Sequence, residues 1–178
     1  LTVIPAKAGI LNIPGQARDD KNMDKNLASF LCIHCHAFVP IHPFMGTLHR
    51  NHCPFCLWSK HADEQKAGDR LSQCQGKMQP IGLTFKHERI DKYGKQKQGE
   101  IMIIHACIKC GKTNINRIAG DDDAIKILSL LDTFNISTDI LKKIQEQKIR
   151  ILNNEDVQEV RKQLFGIDQG RPLKGHPL

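Results

Sequence analysis

Two apolar stretches in the middle of the chain have the pattern of β-strands. Residues 81–90, IGLTFKHERI, and residues 99–108, GEIMIIHACI, are rich in β-branched and aromatic side chains, which are frequent in strands. The polar segment between them, DKYGKQKQ, contains Tyr93 and Gly94, a pair suited to a turn. We therefore expect two antiparallel strands joined by a short connection.

After Gly120 the apolar residues recur at helical spacing. Three groups show this spacing: Ala124, Ile125, Ile127, Leu128, Leu130 and Leu131; Ile140, Leu141 and Ile144; Val157, Val160 and Leu164. Capping residues fit the same division: Asp121 to Asp123, Ser137 with Thr138, Asn154 with Glu155, and Gly166 after the last group. Residues 121–167 are thus predicted to form a helical appendage.

The two ends of the chain show neither a strand pattern nor helical spacing of apolar residues. Residues 1–22 contain two prolines and two glycines and resemble a translated repeat element found at the ends of unrelated bacterial proteins. We expect a disordered leader there, and our hypothesis is that the natural start is Met23. Residues 168–178 are expected to be a disordered tail, which leaves residues 23–120 as the central module.

Composition adds cysteine chemistry to this picture. The chain has 178 residues, 40% of them apolar, but only 9 are Phe, Trp or Tyr, so hydrophobic burial alone is a weak source of stability. Of its seven cysteines, six form three C-x-x-C pairs. No stretch has the pattern of a secretory signal or is apolar enough to span a membrane. We expect a soluble, cytoplasmic protein with reduced thiols.

The first two C-x-x-C pairs predict a zinc site. Cys32 and Cys35 are separated from Cys53 and Cys56 by 17 residues, a spacing typical of zinc-binding knuckle pairs. A C-x-x-C turn presents two thiolates to one ion, and Zn²⁺ prefers four nitrogen or sulfur ligands at tetrahedral corners. These four cysteines are predicted to share one Zn²⁺.

The third pair predicts a second zinc site, for whose fourth ligand there are two candidates. Antiparallel pairing should bring Cys74, just before the first predicted strand, close to Cys107 and Cys110 at the end of the second. Two histidines could complete the site. We favour His61, and His105 is the alternative because it lies two residues before Cys107.

Four motifs carry a resemblance to a known family. HRNHCPFCLWSKHAD, GDRLSQCQGKMQPIG, HACIKCG and NRIAGDDD are similar to the RNHCP family. The resemblance covers roughly residues 30–123. It implies a small bacterial zinc-ribbon-like protein, and the family offers no established activity to carry over.

Catalysis is not favoured by these patterns. A zinc ion held by four cysteines has no open position for substrate or water, and the H-x-E motif of zinc deaminases is absent. The segment NHCPFCLWSKH resembles part of zinc-bearing HNH nucleases. However, the residues between Cys35 and Cys53 include no carboxylate to work with a catalytic metal. An HNH-type nuclease remains the less favoured alternative.

Charge points towards RNA. Residues 23–120 carry 14 Lys or Arg against 7 Asp or Glu, and two thiolate-bound zinc ions would reduce this excess to about +4. Basic residues can contact phosphates and an aromatic ring can stack on an unpaired base. The candidate nucleic-acid contacts are Arg50, Trp58, Lys60, Arg70, Lys77 and Arg117.

The sequence thus predicts a small α+β protein, with a zinc-ribbon-like β module holding one or two zinc sites and a helical C-terminal segment. The expected function is non-catalytic zinc binding with RNA, ribosomal particles included, as partner. A protein-docking adaptor is the main alternative, ahead of the nuclease, since the helical stripes could pack on the module or on another protein. No small-molecule substrate is indicated.

Overall fold

Short strands precede short helices along the chain. The structure is a computed structural model and describes residues 28–166 apart from 43, 45–48, 87–88, 91, 95, 98 and 133–135. Its strands are β1 (Ser29–Leu31), β2 (Phe38–Pro40), β3 (Ser59–Lys60), β4 (Lys77–Lys86), β5 (Arg89–Ile90), β6 (Gln96–Lys97), β7 (Glu100–Cys107) and β8 (Thr113–Arg117). Its α-helices are α1 (Ala124–Ser129), α2 (Thr138–Glu146) and α3 (Val157–Phe165). The predicted leader, Met23 and the predicted tail lie outside the described residues.

The predicted strand pair forms the centre of the main sheet. Strands β4 and β7 are antiparallel, with Met78 opposite Cys107 at one end and Lys86 opposite Glu100 at the other. The four-stranded sheet has the order β3-β4-β7-β8, while β1 with β2 and β5 with β6 form two separate hairpins. The β5–β6 hairpin holds the predicted turn at Gly94, whose φ is +75°.

Strand β4 begins four residues earlier than the sequence predicts. The register shifts between Pro80 and Gly82, and such a bulge lets a proline, which has no N–H to donate, sit within a paired strand. The bulge extends the pairing to Lys77, beside the second cysteine cluster.

The helices begin and end largely where the sequence indicates. Asp123 caps α1, and its side chain accepts from the backbone N–H groups of Ile125 and Lys126. Gly166 ends α3 in the left-handed conformation, with φ of 66°. The turn before α3 is capped by Asn153 rather than by Asn154, because Asn153 and Asp156 form a reciprocal capping box. Local cap chemistry therefore fixes these boundaries.

The helices share their core with the sheet. The main cluster of buried residues joins the sheet side to the helical segment: Leu57, Leu83, Ile101 and Ile103 with Ile127, Leu130, Leu131, Leu152 and Val160. Burying one such side chain contributes about 1.5–3 kcal/mol. The predicted appendage is thus packed on the module, and cutting the chain at residue 120 would expose the inner face of the sheet.

The described residues form a small α+β protein with antiparallel sheets and C-terminal helices. None of the helices described here is long and apolar enough to cross a bilayer. Classification as a zinc ribbon stays a prediction.

Candidate metal centres

The three C-x-x-C segments adopt one backbone turn. The residue after the second cysteine has a positive φ in each case: 61° at His36, 61° at Leu57 and 70° at Gly111. Its N–H donates to the carbonyl oxygen of the first cysteine: His36 to Cys32 at 3.0 Å, Leu57 to Cys53 at 2.8 Å, and Gly111 to Cys107 at 2.8 Å. Positive φ is uncommon for His and Leu. The turn places both thiols of each pair on one side of the backbone.

The first cluster brings together the four cysteines that the sequence predicts. The Sγ atoms of Cys32 and Cys56 lie 3.5 Å apart, those of Cys35 and Cys53 lie 3.6 Å apart, and all four lie within 4.8 Å of one another. Four sulfurs at about 2.3 Å from a tetrahedral centre would be about 3.8 Å apart. The sulfurs are too distant for disulfides, whose S–S bond is about 2.05 Å. This cluster could hold a metal ion.

Electrostatics in the first cluster favour a cation. Burial raises the pKa of the Cys53 and Cys56 thiols, whereas a backbone hydrogen bond from Ala37 lowers the pKa of the Cys35 thiol to about 7. Buried thiols do not ionise together without a compensating positive charge. A divalent ion would provide that charge, so the donor set fits a bound metal.

The second cluster contains His61, Cys74, Cys107 and Cys110. The Sγ atoms of Cys74 and Cys107 are 3.6 Å apart, and Nδ1 of His61 lies 3.3 Å from Sγ of Cys110. Tetrahedral zinc with one nitrogen and three sulfur ligands requires an N···S distance of about 3.6 Å. The spacing therefore also suits a metal ion in this cluster.

Strand pairing delivers His61 to the second cluster. Lys60 lies opposite Lys77 in the β3–β4 pair, and the His61 N–H donates to the Gly76 carbonyl at 2.9 Å. Burial, and then the Lys112 ammonium, lower the pKa of His61. The neutral ring that metal binding requires is thus favoured. Its Nε2 is buried and has no hydrogen-bond partner among the described residues.

His105, the alternative metal ligand in the sequence analysis, forms hydrogen bonds within the fold instead. Its Nε2 lies 2.7 Å from the Leu57 carbonyl oxygen and its Nδ1 lies 2.9 Å from Nδ2 of Asn116. Burial lowers the pKa of His105 to about 4, so the ring is neutral, with Nε2–H donating and Nδ1 accepting. Both nitrogens are engaged, and the alternative in which His105 is a metal ligand does not fit.

A buried polar network joins Arg50 and His52, just before Cys53, to Asp121 and Asp122, just before α1. Arg50 donates to both carboxylate oxygens of Asp121 at 2.7 and 2.8 Å and to Asp122 at 2.5 Å. Nε2 of His52 lies 2.8 Å from the second oxygen of Asp122, which also accepts from the Ala119 N–H. Sequence reasoning missed this network because its partners are separated by about 70 residues. The RNH and GDDD motifs were its only signal.

Arg50 requires a correction as a nucleic-acid contact. Its side chain is only 1% exposed, and its guanidinium is occupied by Asp121, Asp122 and the His52 carbonyl. A buried, paired guanidinium cannot reach a phosphate without unfolding its surroundings. Its role is to link two parts of the fold.

The remaining candidate nucleic-acid residues lie on the surface in different settings. Lys60 and Lys77 lie directly opposite each other. Arg70 lies 3.7 Å from Asp63, and Arg117 lies 2.9 Å from Glu100. Trp58 stacks on His34, with ring centroids 4.0 Å apart and an interplanar angle of 2°. Trp58, Lys60 and Arg70 lie around one cavity and Lys77 lies opposite Lys60, whereas Arg117 is on β8, at the other edge of the sheet.

Comparison with known proteins gives one result. The model of a family described as the RNHCP domain matches residues 27–128. No curated protein and no solved structure matches the chain significantly. The match includes both cysteine clusters and the Arg50–Asp122 network.

Proposed function

The chain belongs to the RNHCP domain family, and we propose that it is a non-catalytic, cytoplasmic zinc protein that binds RNA. The observation that carries the zinc assignment is the pair of four-ligand clusters, one with four thiols and one with three thiols and an imidazole. Thiolate and imidazole sets of this size are typical of structural zinc.

Four protein ligands leave no vacant position on a tetrahedral zinc ion. A catalytic zinc has three protein ligands and keeps its fourth position for water or substrate. Cys32, Cys35, Cys53 and Cys56 would complete the first site, as His61 and its three cysteines would complete the second. Zinc held in this way stabilises the fold, because binding free energy contributes directly to folding.

The nuclease alternative gains a carboxylate from the tertiary structure but no open site. Asp122 lies beside His52. It supplies the carboxylate that the residues between Cys35 and Cys53 lack. However, the Asp122 side chain is fully buried and its oxygens bind Arg50, His52 and the Ala119 N–H. A metal-activated water has no access to such a pair. The His–Asp contact is better explained as part of the fold.

A basic edge supports RNA as the partner. We define it as Lys60, Arg70 and Lys77, around β3 and the start of β4. Lys60 and Lys77 face each other across the strands, an arrangement in which like charges destabilise the pair. Neither ammonium has an ion-pair partner among the described residues. A phosphate group between them would remove this repulsion.

The adaptor alternative loses its main support. Ile127 of α1, Leu130 directly after it and Val160 of α3 are buried against the sheet. They are therefore not available as a docking stripe for another protein. RNA is the partner that the basic edge favours.

The proposal is tested with the full chain purified under reducing conditions. We expect two Zn²⁺ per chain by elemental analysis, and salt-dependent binding of single-stranded RNA measured by fluorescence anisotropy. The logarithm of affinity should fall with the logarithm of salt by about 0.7 per phosphate contact, and Lys60→Ala should remove roughly one contact. Lys142→Ala, an exposed lysine of α2, is the matched control. A zinc-loaded protein without salt-dependent RNA affinity contradicts the RNA assignment, and ribosomal particles captured from native lysate would identify the RNA.

A further inference from the structure

A cavity lies between the first cysteine hairpin and strand β3. Its volume is about 350 Å³, at the small end of the range for ligand pockets. Apolar walls come from Phe30, Leu31, Ile33 and Trp58, and two cationic residues, Lys60 and Arg70, are also part of the lining. The cavity thus combines an apolar interior with positive charge.

Trp58 contributes an aromatic wall to the cavity. One face of the indole stacks on His34, in nearly parallel orientation, and the indole also lines the cavity. The stack fixes the plane of the indole, so that a second ring system entering the cavity meets an oriented surface. Aromatic rings that are held in this way are the usual platforms for unpaired bases.

Positive charge is arranged beside this wall. Lys60 is exposed and lies opposite Lys77. Arg70 is 45% exposed, and its contact with Asp63 is long, at 3.7 Å. Lys60 and Arg70 attract negative charge, so this cavity favours a polyanion over a neutral or apolar ligand. The Trp58 ring in the same cavity favours a polyanion that also carries aromatic rings.

We propose that this cavity binds one unpaired nucleobase of an RNA strand, with the base against Trp58 and the adjoining phosphates on Lys60 and Arg70. The inference rests on the proposed RNA function and specifies its recognition element. A cavity of this size accommodates a single base and excludes a paired duplex. The protein therefore selects single-stranded or looped RNA.

The single tryptophan of the chain makes the proposal directly measurable. Because Trp58 is the only Trp, intrinsic tryptophan fluorescence reports on this cavity alone. The probes are labelled oligouridine, labelled oligoadenine and an abasic spacer of the same length and phosphate number. We expect both base-bearing probes to quench Trp58 emission, and the abasic probe to bind more weakly and leave the emission unchanged.

The other outcomes separate this inference from the function on which it rests. If all three probes bind equally, with salt dependence but without quenching, the base pocket is wrong and RNA binding through phosphates stands. If no probe raises the anisotropy between about 50 and 200 mM salt, the RNA function is wrong and the base pocket with it.

Two variants test the lining residues. Trp58→Ala should weaken the base-bearing probes roughly 5- to 150-fold and leave the affinity for the abasic probe unchanged. Leu31→Ala, which alters an exposed wall residue, should weaken the same probes without disturbing the core. Ile125→Ala on α1, exposed and outside the cavity, is the control. A content of two zinc ions per chain shows that a variant is folded. If Trp58→Ala loses zinc, the test of the cavity rests on Leu31→Ala. Equal affinities in Leu31→Ala and Ile125→Ala overturn the proposal.

Discussion

The Nδ1 atom of His61 lies 3.3 Å from the Sγ atom of Cys110, although 49 residues separate them. The approach depends on β3, which follows the second cysteine loop and pairs with β4 beside Gly76. A short edge strand thus links the two clusters: its preceding loop contributes Cys53 and Cys56 to the first, and the residue after it contributes His61 to the second.

The choice of histidine can be tested by metal counting. His61→Ala should reduce the zinc content from two ions to one, because a three-cysteine set lacks its fourth ligand. His105→Asn should retain both ions while lowering stability, since its contacts to Leu57 and Asn116 are structural. Native mass spectrometry distinguishes these results. Loss of zinc from His105→Asn alone would reverse our assignment.

Each cluster should respond separately to the loss of a cysteine. Cys53→Ser should empty the first site and disorder residues near the β1–β2 hairpin, because few apolar residues other than the cysteines are buried there. Cys107→Ser should release one ion and leave the first site filled. NMR spectra recorded with elemental analysis would show which segment loses its structure. A fold that survives chelation of both ions would disprove a structural role for the metal.

Gly76 should be necessary for the second cluster for steric reasons. A Cβ atom at this position would lie 3.0 Å from Sγ of Cys107, 3.0 Å from the Lys109 Cβ and 3.3 Å from Sγ of Cys74. Gly76→Ala should therefore displace the thiols and weaken zinc binding at that site. Gly120→Ala is the matched control, since no atom lies within 4 Å of its Cβ position. Competition with a chromogenic chelator measures both, and equal zinc affinities would contradict the prediction.

Arg50 should contribute to stability rather than to RNA binding. Arg50→Ala leaves the buried Asp122 carboxylate without its guanidinium partner, and breaking a buried pair in this way costs about 3–5 kcal/mol. Arg117→Ala disrupts the exposed contact with Glu100 and should cost about 1 kcal/mol or less. Urea denaturation at saturating zinc compares the two. Similar losses in both variants would argue against the network.

The loop after β3 should depend on the ionised form of Asp69. Backbone hydrogen bonds, first from Lys66 and then from Glu64, hold the pKa of the Asp69 carboxyl well below its ordinary value of 3.8. The folded loop therefore binds this proton less readily than the unfolded chain. Its stabilisation is present above the ordinary pKa and is lost as pH falls through the lower, folded value.

Hydrogen exchange can measure this effect. Protection of the Gln65 and Lys66 amides should be unchanged between about pH 5 and 7, allowing for the intrinsic exchange rate, because Asp69 stays ionised there. Asp69→Asn should reduce that protection, since both amides donate to its carboxylate at 2.8 and 2.9 Å. Asp139→Asn, in the first turn of α2, serves as the control.

Several features of the fold follow from local sequence. The C-x-x-C spacing fixes a turn that places two thiols together, which is why the grouping of Cys32, Cys35, Cys53 and Cys56 agrees with the prediction. The β-branched and aromatic residues of the central strands and the cap at Asp123 act over a few residues only. Antiparallel pairing of β4 with β7 likewise brings Cys74, just before β4, close to Cys107 at the end of β7.

Contacts between distant segments needed the tertiary structure. The sequence favoured His61 over His105, but its position beside Cys110 depends on a contact across 49 residues. The burial of Arg50 depends on contacts across 71 and 72 residues, and the helices dock through the core that joins Leu57 to Val160. The spacing of residues along the chain does not specify contacts between segments that are far apart in sequence. A segment with lysine or arginine has the same sequence pattern whether its side chains face solvent or a buried carboxylate. Local sequence was sufficient to predict the C-x-x-C turns, the central strand pair and the helical segment, but not the short strands β1, β2, β3 and β8. Only packing decided which charged groups remain at the surface, since burial is set by what a side chain contacts in three dimensions.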